Sequence, residues 1–281
     1  MSAARRFTVK TTVAVTPPQS CCDYLAELAA LPKGRIKDAM AKGAVWLARE
    51  GGKRRRLRRA STVVRSGDVL ELYYDEALLR GVPPPAHCMD DQQRYSVWFK
   101  PAGLMAQGTD YGDHCSLLRQ AECHFHPRRP VFLVHRLDRE AAGLMLVAHD
   151  GRAAARLSAL FREHRISKDY RVRVRGKIAQ ARGEIDQPLD GKPALTRYTV
   201  EAYDPATGVT TLEVSIATGR HHQIRRHFAA IGHGVLGDPR YGTGNKNREG
   251  MQLEAVGLCF RCPFTGRDMS YASNDIFKKL L

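Results

Sequence analysis

The sequence lacks an apolar run long enough to cross a membrane, and its basic N-terminus is not followed by the apolar stretch of a secretion signal. It also lacks the glycine-rich motifs that bind phosphates in P-loop proteins and in dinucleotide-binding folds. These absences argue against a membrane-spanning protein and against a nucleotide-dependent enzyme. We expect a cytoplasmic monomer that makes no membrane contact and needs no cofactor.

The seven cysteines are odd in number and scattered, so they do not form the pattern of a disulfide framework. Cys259 and Cys262 have a metal-type spacing, and Cys123, His124 and His126 offer further ligands elsewhere. A zinc site needs four converging ligands, and no second pair lies near the first one in the sequence. We therefore expect reduced, partly buried thiols and no metal site.

Acidic residues are scarce, since 29 Asp and Glu stand against 45 Lys and Arg and give a formal net charge of +16. An excess of this size predicts a polyanionic partner such as a nucleic acid. Twelve Lys and Arg between Lys33 and Arg65 face only two acids, Asp38 and Glu50, and six of them fill seven positions at 53–59. A solvated charge cluster is the alternative, but a run with no acid to neutralise it favours contact with phosphates.

The length of 281 residues is enough for one large domain and one small domain. The segment 81–85, Gly-Val-Pro-Pro-Pro, cannot form a regular helix or a central strand and favours an extended linker. We predict an N-terminal tail or edge strand over residues 1–16 and a small basic domain over 17–78. A linker over 79–90 then leads to a larger domain over 91–281.

The small domain is predicted to begin with two short helices. Apolar residues have helical spacing from Ser20 onward, and a second helix follows until Gly43 ends it. A strand is predicted over 45–47, and a turn at Gly67 precedes an alternating strand over 69–74. The basic run lies between these two strands, in the position of a loop.

The segment 134–149, VHRLDREAAGLMLVAH, places one carboxylate, Asp138, in a short break between two apolar runs. The pattern predicts a strand, a tight connection and a second strand, with Gly143 where the second strand begins. Arg136 and Arg139 flank the acid, and nearby cations favour its ionised form. An isolated Asp in a turn more often ties the turn down through a salt bridge, which is the alternative to a catalytic role.

Two segments around Asp138 have patterns of their own. Residues 95–104, YSVWFKPAGL, predict an apolar strand that ends in Lys-Pro-Ala-Gly. Asp150 is placed to cap a helix with apolar residues on one face. That helix is predicted to contribute mostly to the core.

Two later segments bring further polar residues next to apolar ones. Residues 168–174 predict a strand in which Tyr170 begins an apolar face, a position that is more often core than catalytic. Residues 217–242 predict a turn, a helix from about His222 and glycine-rich loops. The helix has three apolar residues at core spacing, Ile224, Phe228 and Ile231.

Taken whole, the string HRLDREAAGLMLVA at 135–148 resembles the signature of the RluA-type pseudouridine synthases. YSVWFKPAGL resembles the opening motif of that family, Lys168-x-Tyr170 its second motif and Gly-Arg-x-His-Gln-Ile-Arg at 219–225 its third. The departures at 141–142, Ala-Ala where the family usually has Thr-Ser, affect loop packing and leave the acid in place. Ordered motifs at sensible intervals are more specific than any one of them alone.

The resemblance implies that Asp138 is the catalytic residue, that Tyr170 lies against the target base and that Arg225 pairs with the acid. It implies an α+β fold, in which a catalytic domain with a mixed, mainly antiparallel sheet and a central cleft is joined to a small N-terminal αβ domain. It also implies that the target base leaves its stack and that Arg136 fills the vacated position. The residues carried over as substrate-binding are Arg136, Lys168, Arg220, His222 and Gln223.

The order of elements in the small domain resembles the RNA-binding domain first seen in ribosomal small-subunit protein four. That resemblance covers about 55 residues and implies that the second helix and the loop after it face RNA. The residues that it places at the RNA are Lys33, Arg35, Lys37, Lys53, Arg54 and Arg55.

Together these patterns predict an isomerase that converts uridine in structured RNA, in the first place ribosomal RNA, to pseudouridine. Transfer RNA is the alternative substrate. Whether Asp138 acts as a nucleophile on the sugar or as a base stays open. Two alternatives from other classes are a non-catalytic RNA-binding or ribosome-assembly protein and a hydrolase that uses His221 or His222 with Asp138.

Overall fold

The computed structural model of the chain describes residues 4–15, 17–242 and 249–274. Residues 1–3 and 16 of the predicted N-terminal segment lie outside the described residues, as do 243–248 and 275–281 of the predicted larger domain. The chain forms two compact units. One, the N-terminal unit, comprises Met1–Pro83 and Gln107–Gln120; the other, the C-terminal unit, comprises Pro84–Ala106 and Ala121–Leu281.

The N-terminal unit is built on a four-stranded sheet with two helices packed on it. Its strands are β1 (Arg6–Thr12), β2 (Gln19–Ser20), β3 (Val45–Ala48), β4 (Arg55–Arg56), β5 (Val63–Val64) and β6 (Val69–Asp75), and its helices are α1 (Cys21–Ala29), α2 (Lys33–Ala41) and α3 (Glu76–Arg80). The sheet has the order β1-β6-β3-β4, and β2 pairs with β5. Strand β1 lies at one edge of this sheet.

The predicted start and end of the first helices are confirmed by their local chemistry. The Ser20 hydroxyl accepts a hydrogen bond from the backbone N–H of Asp23, which satisfies one free donor at the start of α1. Gly43 follows α2 with φ of 80°, a conformation that glycine adopts without a steric cost. The buried residues of both helices and of β3 and β6 form one apolar core.

The predicted linker is shorter than expected. Asp75 caps α3 by accepting from the N–H of Leu78, so helix continues to Arg80, and the next strand begins at His87. Only residues 81–86 lack regular structure between them. The predicted larger domain also loses a segment, because Gln107–Gln120 belongs to the N-terminal unit.

The C-terminal unit is built on a ten-stranded sheet. Its strands are β7 (His87–Asp91), β8 (Tyr95–Lys100), β9 (Phe132–Leu133), β10 (Ala142–Ala148), β11 (Ile166–Arg175), β12 (Arg182–Asp186), β13 (Leu195–Asp204), β14 (Val209–Ile216), β15 (Leu253–Arg261) and β16 (Asp268–Ala272). The remaining helices are α4 (Leu117–His124), in which the division between the units falls, α5 (Gly151–Arg162) and α6 (Gln223–Ala230).

The order of the large sheet is β12-β13-β14-β11-β15-β10-β8-β7, with β16 on β15 and β9 on β10. Among the strands that the structure describes, only β10 and β15 pair in parallel. The predicted mixed, mainly antiparallel α+β fold is therefore confirmed. In the same part of the chain, no helix is long and apolar enough to cross a membrane.

Strand β10 is buried on both faces, which explains its uninterrupted apolar sequence. Leu144 and Leu146 pack towards Leu157 of α5, while Met145 and Val147 are buried on the opposite face. The expected cap of α5 is present, since the Asp150 carboxylate accepts from the N–H of Ala153. A strand fixed on two faces gives the segment before it a rigid support.

Most of the core face predicted for helix α6 is confirmed. Ile224 and Phe228 are buried, whereas Ile231 is 36% exposed, so the prediction that it is a core residue is wrong. The reason is that α6 ends at Ala230 and Ile231 follows as its C-cap, where the helical period no longer sets the direction of the side chain.

Gly143 is required by the parallel pairing of β10 with β15. Its φ is 122°, and a Cβ atom there would lie 2.4 Å from the backbone N and O of Ala255. Because backbone cannot move aside cheaply, we expect Gly143→Ala to lower the free energy of unfolding by roughly 2–6 kcal/mol, from backbone strain and overpacking together. The measurement is urea unfolding followed by circular dichroism.

Gly151→Ala is the matched control, because no atom lies within 4 Å of the position that its Cβ would take. At the first residue of α5 this exchange should change stability by no more than about 1 kcal/mol. Equal effects of the two substitutions would contradict the steric account of Gly143.

Candidate active site

The segment that carries Asp138 lies between β9 and β10 and is held by hydrogen bonds from Lys100, the last residue of β8. The Lys100 side chain is fully buried, and four backbone carbonyl oxygens surround the three N–H donors of its ammonium, those of Pro101, Leu104, Arg139 and Ala141 at 3.0, 2.8, 3.3 and 2.5 Å. Burial lowers the pKa of Lys100 to about 8, while the charges of Asp138 and Glu140 act in the opposite direction. Two of the carbonyls, those of Arg139 and Ala141, follow Asp138 closely in sequence, so Lys100 fixes the backbone just after the residue that bears the carboxylate.

His135 fastens the other side of the same segment. Its Nε2 accepts a hydrogen bond from the N–H of Leu146 at 2.9 Å, and its ring stacks on Phe161 with 4.2 Å between centroids. Burial lowers the pKa of His135 to about 3, so the ring is neutral and can accept this bond at physiological pH. The His of the motif therefore supports the fold of the segment.

Arg225 is the centre of the site. Its side chain is 2% exposed, and its Nε and Nη2 each donate to one oxygen of Asp238 at 2.8 Å. The remaining Nη1 donates to Oδ2 of Asp138 at 2.8 Å and lies 3.8 Å from Glu140. Burial alone would lower the pKa of Arg225, but the hydrogen bonds to Asp238 and Asp138 outweigh it and raise that pKa further.

Asp238 is itself completely buried and also accepts from the backbone N–H groups of Arg240 and Tyr241 at 2.8 and 3.1 Å. These bonds and the pairing with Arg225 outweigh the burial that would raise the pKa of Asp238, and the pKa is lowered. The result is a fully paired carboxylate that locks the guanidinium plane and leaves one of its edges facing Asp138.

The second oxygen of Asp138 faces His222, whose Nε2 lies 3.6 Å from Oδ1. His222 has φ of 54°, and its Nδ1 is 3.1 Å from the Tyr241 hydroxyl. Burial lowers the pKa of His222, and the charge of Asp138 opposes that shift. The exposed ring of His221 stacks on His222 with 3.7 Å between centroids.

Asp138 opens into a cavity of about 270 Å³. Tyr170 forms part of its wall, beside a bulge of β11 at Asp169/Tyr170. Burial raises the pKa of the Tyr170 hydroxyl, with the charges of Asp138 and Asp169 adding to the shift, so the phenol stays protonated. The volume is slightly below the range of about 300–1,000 Å³ for pockets that bind drug-sized ligands and suits a single base.

The sequence-predicted site residues are brought together by the fold. All eight residues predicted as catalytic or substrate-binding line this one cavity: Arg136, Asp138, Lys168, Tyr170, Arg220, His222, Gln223 and Arg225. Gln223 differs from the others, because it is 3% exposed and its amide is bonded within the protein to Thr218, Arg220, Leu195 and Thr196. Its place in the structure is that of a brace for the turn before α6.

Sequence reasoning missed Asp238, the residue that orients Arg225. The available signal was the acid in the glycine-rich segment 234–242, because a buried arginine requires a carboxylate and Asp238 follows Arg225 by only thirteen residues. Sequence reasoning also missed the supporting role of Lys100, the first residue of the Lys-Pro-Ala-Gly motif.

The basic residues predicted to face RNA fall into two groups. Lys33, Arg35 and Arg54 form ion pairs with Asp23, Glu76 and Glu71 at 2.6, 2.7 and 2.7 Å, and Arg54 also pairs with Asp110 at 2.6 Å. Lys37, Lys53 and Arg55 are exposed, and no acid among the described residues forms an ion pair with them.

The expectation that no acid neutralises the basic run is therefore wrong. Arg56 and Arg58 pair with Asp113 at 3.3 and 2.5 Å, and the Arg56 guanidinium also lies over the Trp46 ring at 4.2 Å. Both acids, Asp110 and Asp113, come from the segment Gln107–Gln120 of the same unit. They are more than fifty residues from the run, so the local sequence gives no sign of them.

The seven cysteines are free thiols. Within the described ranges, no three His, Cys, Asp or Glu side chains converge in a way that could hold a metal ion.

Comparison with known proteins identifies the class to which this fold and site belong. Residues 94–230 match the family model of the RNA pseudouridylate synthases. The solved structure of human RNA pseudouridylate synthase domain containing 1 has the same fold, with a TM-score of 0.59 at 24% identity over 69% of this chain and 84% of that one.

Two relatives from bacteria define the family more closely. An uncharacterized RNA pseudouridine synthase of Aquifex aeolicus is 32% identical over 248 residues, 80% of this chain and 77% of the relative. The dual-specificity RNA pseudouridine synthase RluA of Pasteurella multocida is 31% identical over 225 residues, 72% of this chain and 100% of the relative. The chain belongs to the RluA-type RNA pseudouridine synthases and is an isomerase that converts uridine in RNA to pseudouridine. This assignment favours the isomerase over the hydrolase and the non-catalytic protein among the sequence-based alternatives.

Proposed function

We propose that Asp138 performs the chemistry of uridine isomerisation and that Arg225 holds its carboxyl group in position. The observation that carries the proposal is the 2.8 Å bond from Arg225 to Asp138 at the wall of a cavity of one-base size. In the reaction, the bond from ribose C1′ to N1 of uracil breaks and a bond from C1′ to C5 forms. The proton on C5 is lost and N1 gains one, so no redox partner or added group is needed.

Two routes fit the position of Asp138. In the first, a carboxylate oxygen attacks C1′ and holds the sugar covalently while the base turns. In the second, the carboxylate removes the C2′ proton and the sugar becomes a glycal until the base rejoins it. In both routes Asp138 reacts as a carboxylate, and the Arg225 guanidinium donates a hydrogen bond to it.

The target uridine has to leave its stack to reach the cavity, at a cost of a few kcal/mol. In this proposal the base stacks on Tyr170, whose ring lines the cavity, and the exposed Arg136 fills the position that the base leaves. Lys168, Arg220 and His222 complete the contacts to the bound nucleotide. The site residues thus act on one extruded nucleotide and not on a paired one.

We propose ribosomal RNA as the substrate and the N-terminal unit as its phosphate-binding module. Support comes from the order of elements in that unit, which resembles the RNA-binding domain of ribosomal small-subunit protein four, and from its exposed Lys37, Lys53, Arg55 and Arg59. The proposed enzyme is a cytoplasmic monomer without a cofactor. Mapping pseudouridine in ribosomal and transfer RNA from cells with and without the gene tests the choice, and a change confined to transfer RNA would overturn it.

We expect Asp138→Asn to abolish isomerisation while leaving RNA affinity nearly unchanged, because the amide has the shape of the acid but neither attacks C1′ nor takes a proton. The measurement is release of tritium from uracil C5 in a single turnover, on RNA isolated from cells that lack the gene. Asp190→Asn is the control, since Asp190 is exposed and pairs with Arg226 outside the reaction. Release at the wild-type rate from Asp138→Asn would overturn the assignment.

The contribution of the N-terminal unit is expected to come from basic residues that have no carboxylate partner. Changing Lys53, Arg55 and Arg59 together to Gln should weaken RNA binding and flatten the plot of log affinity against log salt by about 0.7–0.9 per lost phosphate contact. The single-turnover rate at saturating RNA should change little. Titrations of RNA binding from low to moderate salt measure the first effect.

The matched control changes Arg54, Arg56 and Arg58 to Gln, which removes the same charge from residues paired with Asp110 and Asp113. This variant should be less stable than the parent protein, and its salt slope should fall by less than that of the first triple variant. Equal slopes for both triple variants would contradict the division into paired and unpaired residues. Deleting residues 1–80 is a poorer test, because it strips Gln107–Gln120 of the rest of its unit.

A further inference from the structure

A second and larger cavity adjoins the active site. It has a volume of about 840 Å³ and lies beside the end of α5, the start of β11 and the end of β15. Lys168 and Ile216 line both cavities. We call it the Lys168 groove, because the Lys168 side chain lines it as well as the nucleotide site.

The charge of the Lys168 groove is strongly positive. Four Lys or Arg side chains line it against a single carboxylate, Asp268, and His164 adds a further basic group. Two of the four are partly neutralised, Arg197 by Glu184 at 2.6 Å and Arg165 by Glu163 at 3.7 Å. Lys168 and Arg261 have no ion-pair partner among the described residues.

Of the four cations, Lys168 is the one whose charge is buried without a compensating partner. Burial lowers its pKa, and no carboxylate opposes the shift. In the part of the chain that the structure describes, its ammonium has no hydrogen-bond acceptor and no ion-pair partner, and it lies 5.7 Å from the centre of the Phe161 ring. A desolvated cation without a counter-charge is costly, and a phosphate oxygen would offset that cost.

The remaining lining indicates what kind of RNA contact the groove can make. Hydroxyls of Ser167, Ser215 and Ser270 line it beside the cations. Of its aromatic rings, Phe260 is 5% exposed and Phe161 already stacks on His135. The groove therefore offers little aromatic surface on which bases could stack. Its cations and hydroxyls can donate hydrogen bonds to phosphates and ribose hydroxyls.

We propose that the Lys168 groove binds the single RNA strand that continues from the target uridine, with Lys168 contacting the phosphate next to that uridine. This inference rests on the proposed function of the adjoining cavity, and it adds a backbone-binding site in the C-terminal unit to the one proposed for the N-terminal unit. Because the groove offers cations and hydroxyls, its binding is independent of base sequence.

The test uses fluorescein-labelled dodecauridylate and anisotropy titrations at several salt concentrations. All proteins carry the Lys53, Arg55 and Arg59 to Gln changes, so that the N-terminal unit contributes less. We expect Lys168→Met and Arg261→Gln each to weaken binding several-fold and to reduce the salt slope by about 0.7, the value for one phosphate contact to a single strand. Lys168→Arg should keep most of the affinity.

Lys177→Met is the matched control. Lys177 is exposed in the same unit, and its ammonium lies 5.7 Å from the Tyr203 ring, the same aromatic distance as for Lys168. It lines neither cavity, so its exchange should leave the affinity and the slope unchanged. A dodecamer with neutral methylphosphonate linkages should bind the parent protein and Lys168→Met equally weakly, because it offers no phosphate charge for Lys168 to contact.

Unchanged slopes for both Lys168→Met and Arg261→Gln, in proteins with the parent melting temperature, would overturn the groove proposal. If Lys168→Met does not fold, the proposal is decided by the salt slope of Arg261→Gln together with its binding of the neutral dodecamer. Tritium release is measured separately on RNA from cells that lack the gene. Failure of the unaltered protein to release tritium from any such RNA would overturn the proposed function, whereas normal release with unchanged slopes overturns only the groove.

Discussion

A buried guanidinium with carboxylates on two sides is the interaction on which the site depends. Arg225 is 2% exposed, so its charge is tolerable only while its N–H groups have acceptors, and removing one partner of such a pair costs about 3–5 kcal/mol. Asp238 takes the two N–H groups on one edge and leaves Nη1 for Asp138. The requirement to pair this charge therefore brings α6, the loop after it and the segment before β10 to one point.

The rest of the site follows from holding Asp138 where Arg225 can reach it. Lys100 fixes the backbone that follows the acid, and neutral His135, which precedes it, ties the same segment to β10 through Leu146. The support is a strand buried on both faces, whose parallel pairing with β15 requires Gly143. Rigid placement of the carboxylate is what the role proposed for Asp138 requires, because misplacement of a reacting group by about 1 Å can cost a hundredfold in rate.

The sequence predicted those parts of the fold that depend on near neighbours. The strand, break and strand around Asp138, the cap at Asp150 and most of the core face of α6 follow from periodicity and capping chemistry, and the family resemblance placed eight residues that line one cavity. The missed features are pairings between distant residues: Asp238 with Arg225, and Asp113 with the basic run. No periodicity encodes which carboxylate meets which arginine, so these contacts became visible only in three dimensions.

The central claim is that Asp238 serves the reaction only by orienting Arg225 towards Asp138. The most direct measurement is the single-turnover rate of Arg225→Met, Asp238→Asn and the double variant, compared as a double-mutant cycle. Each single change should slow the reaction, while the double variant should be no slower than Arg225→Met and more stable, because its buried carboxylate has been neutralised. Losses that multiply in the double variant would show that Asp238 acts on the reaction by another route and would contradict the account.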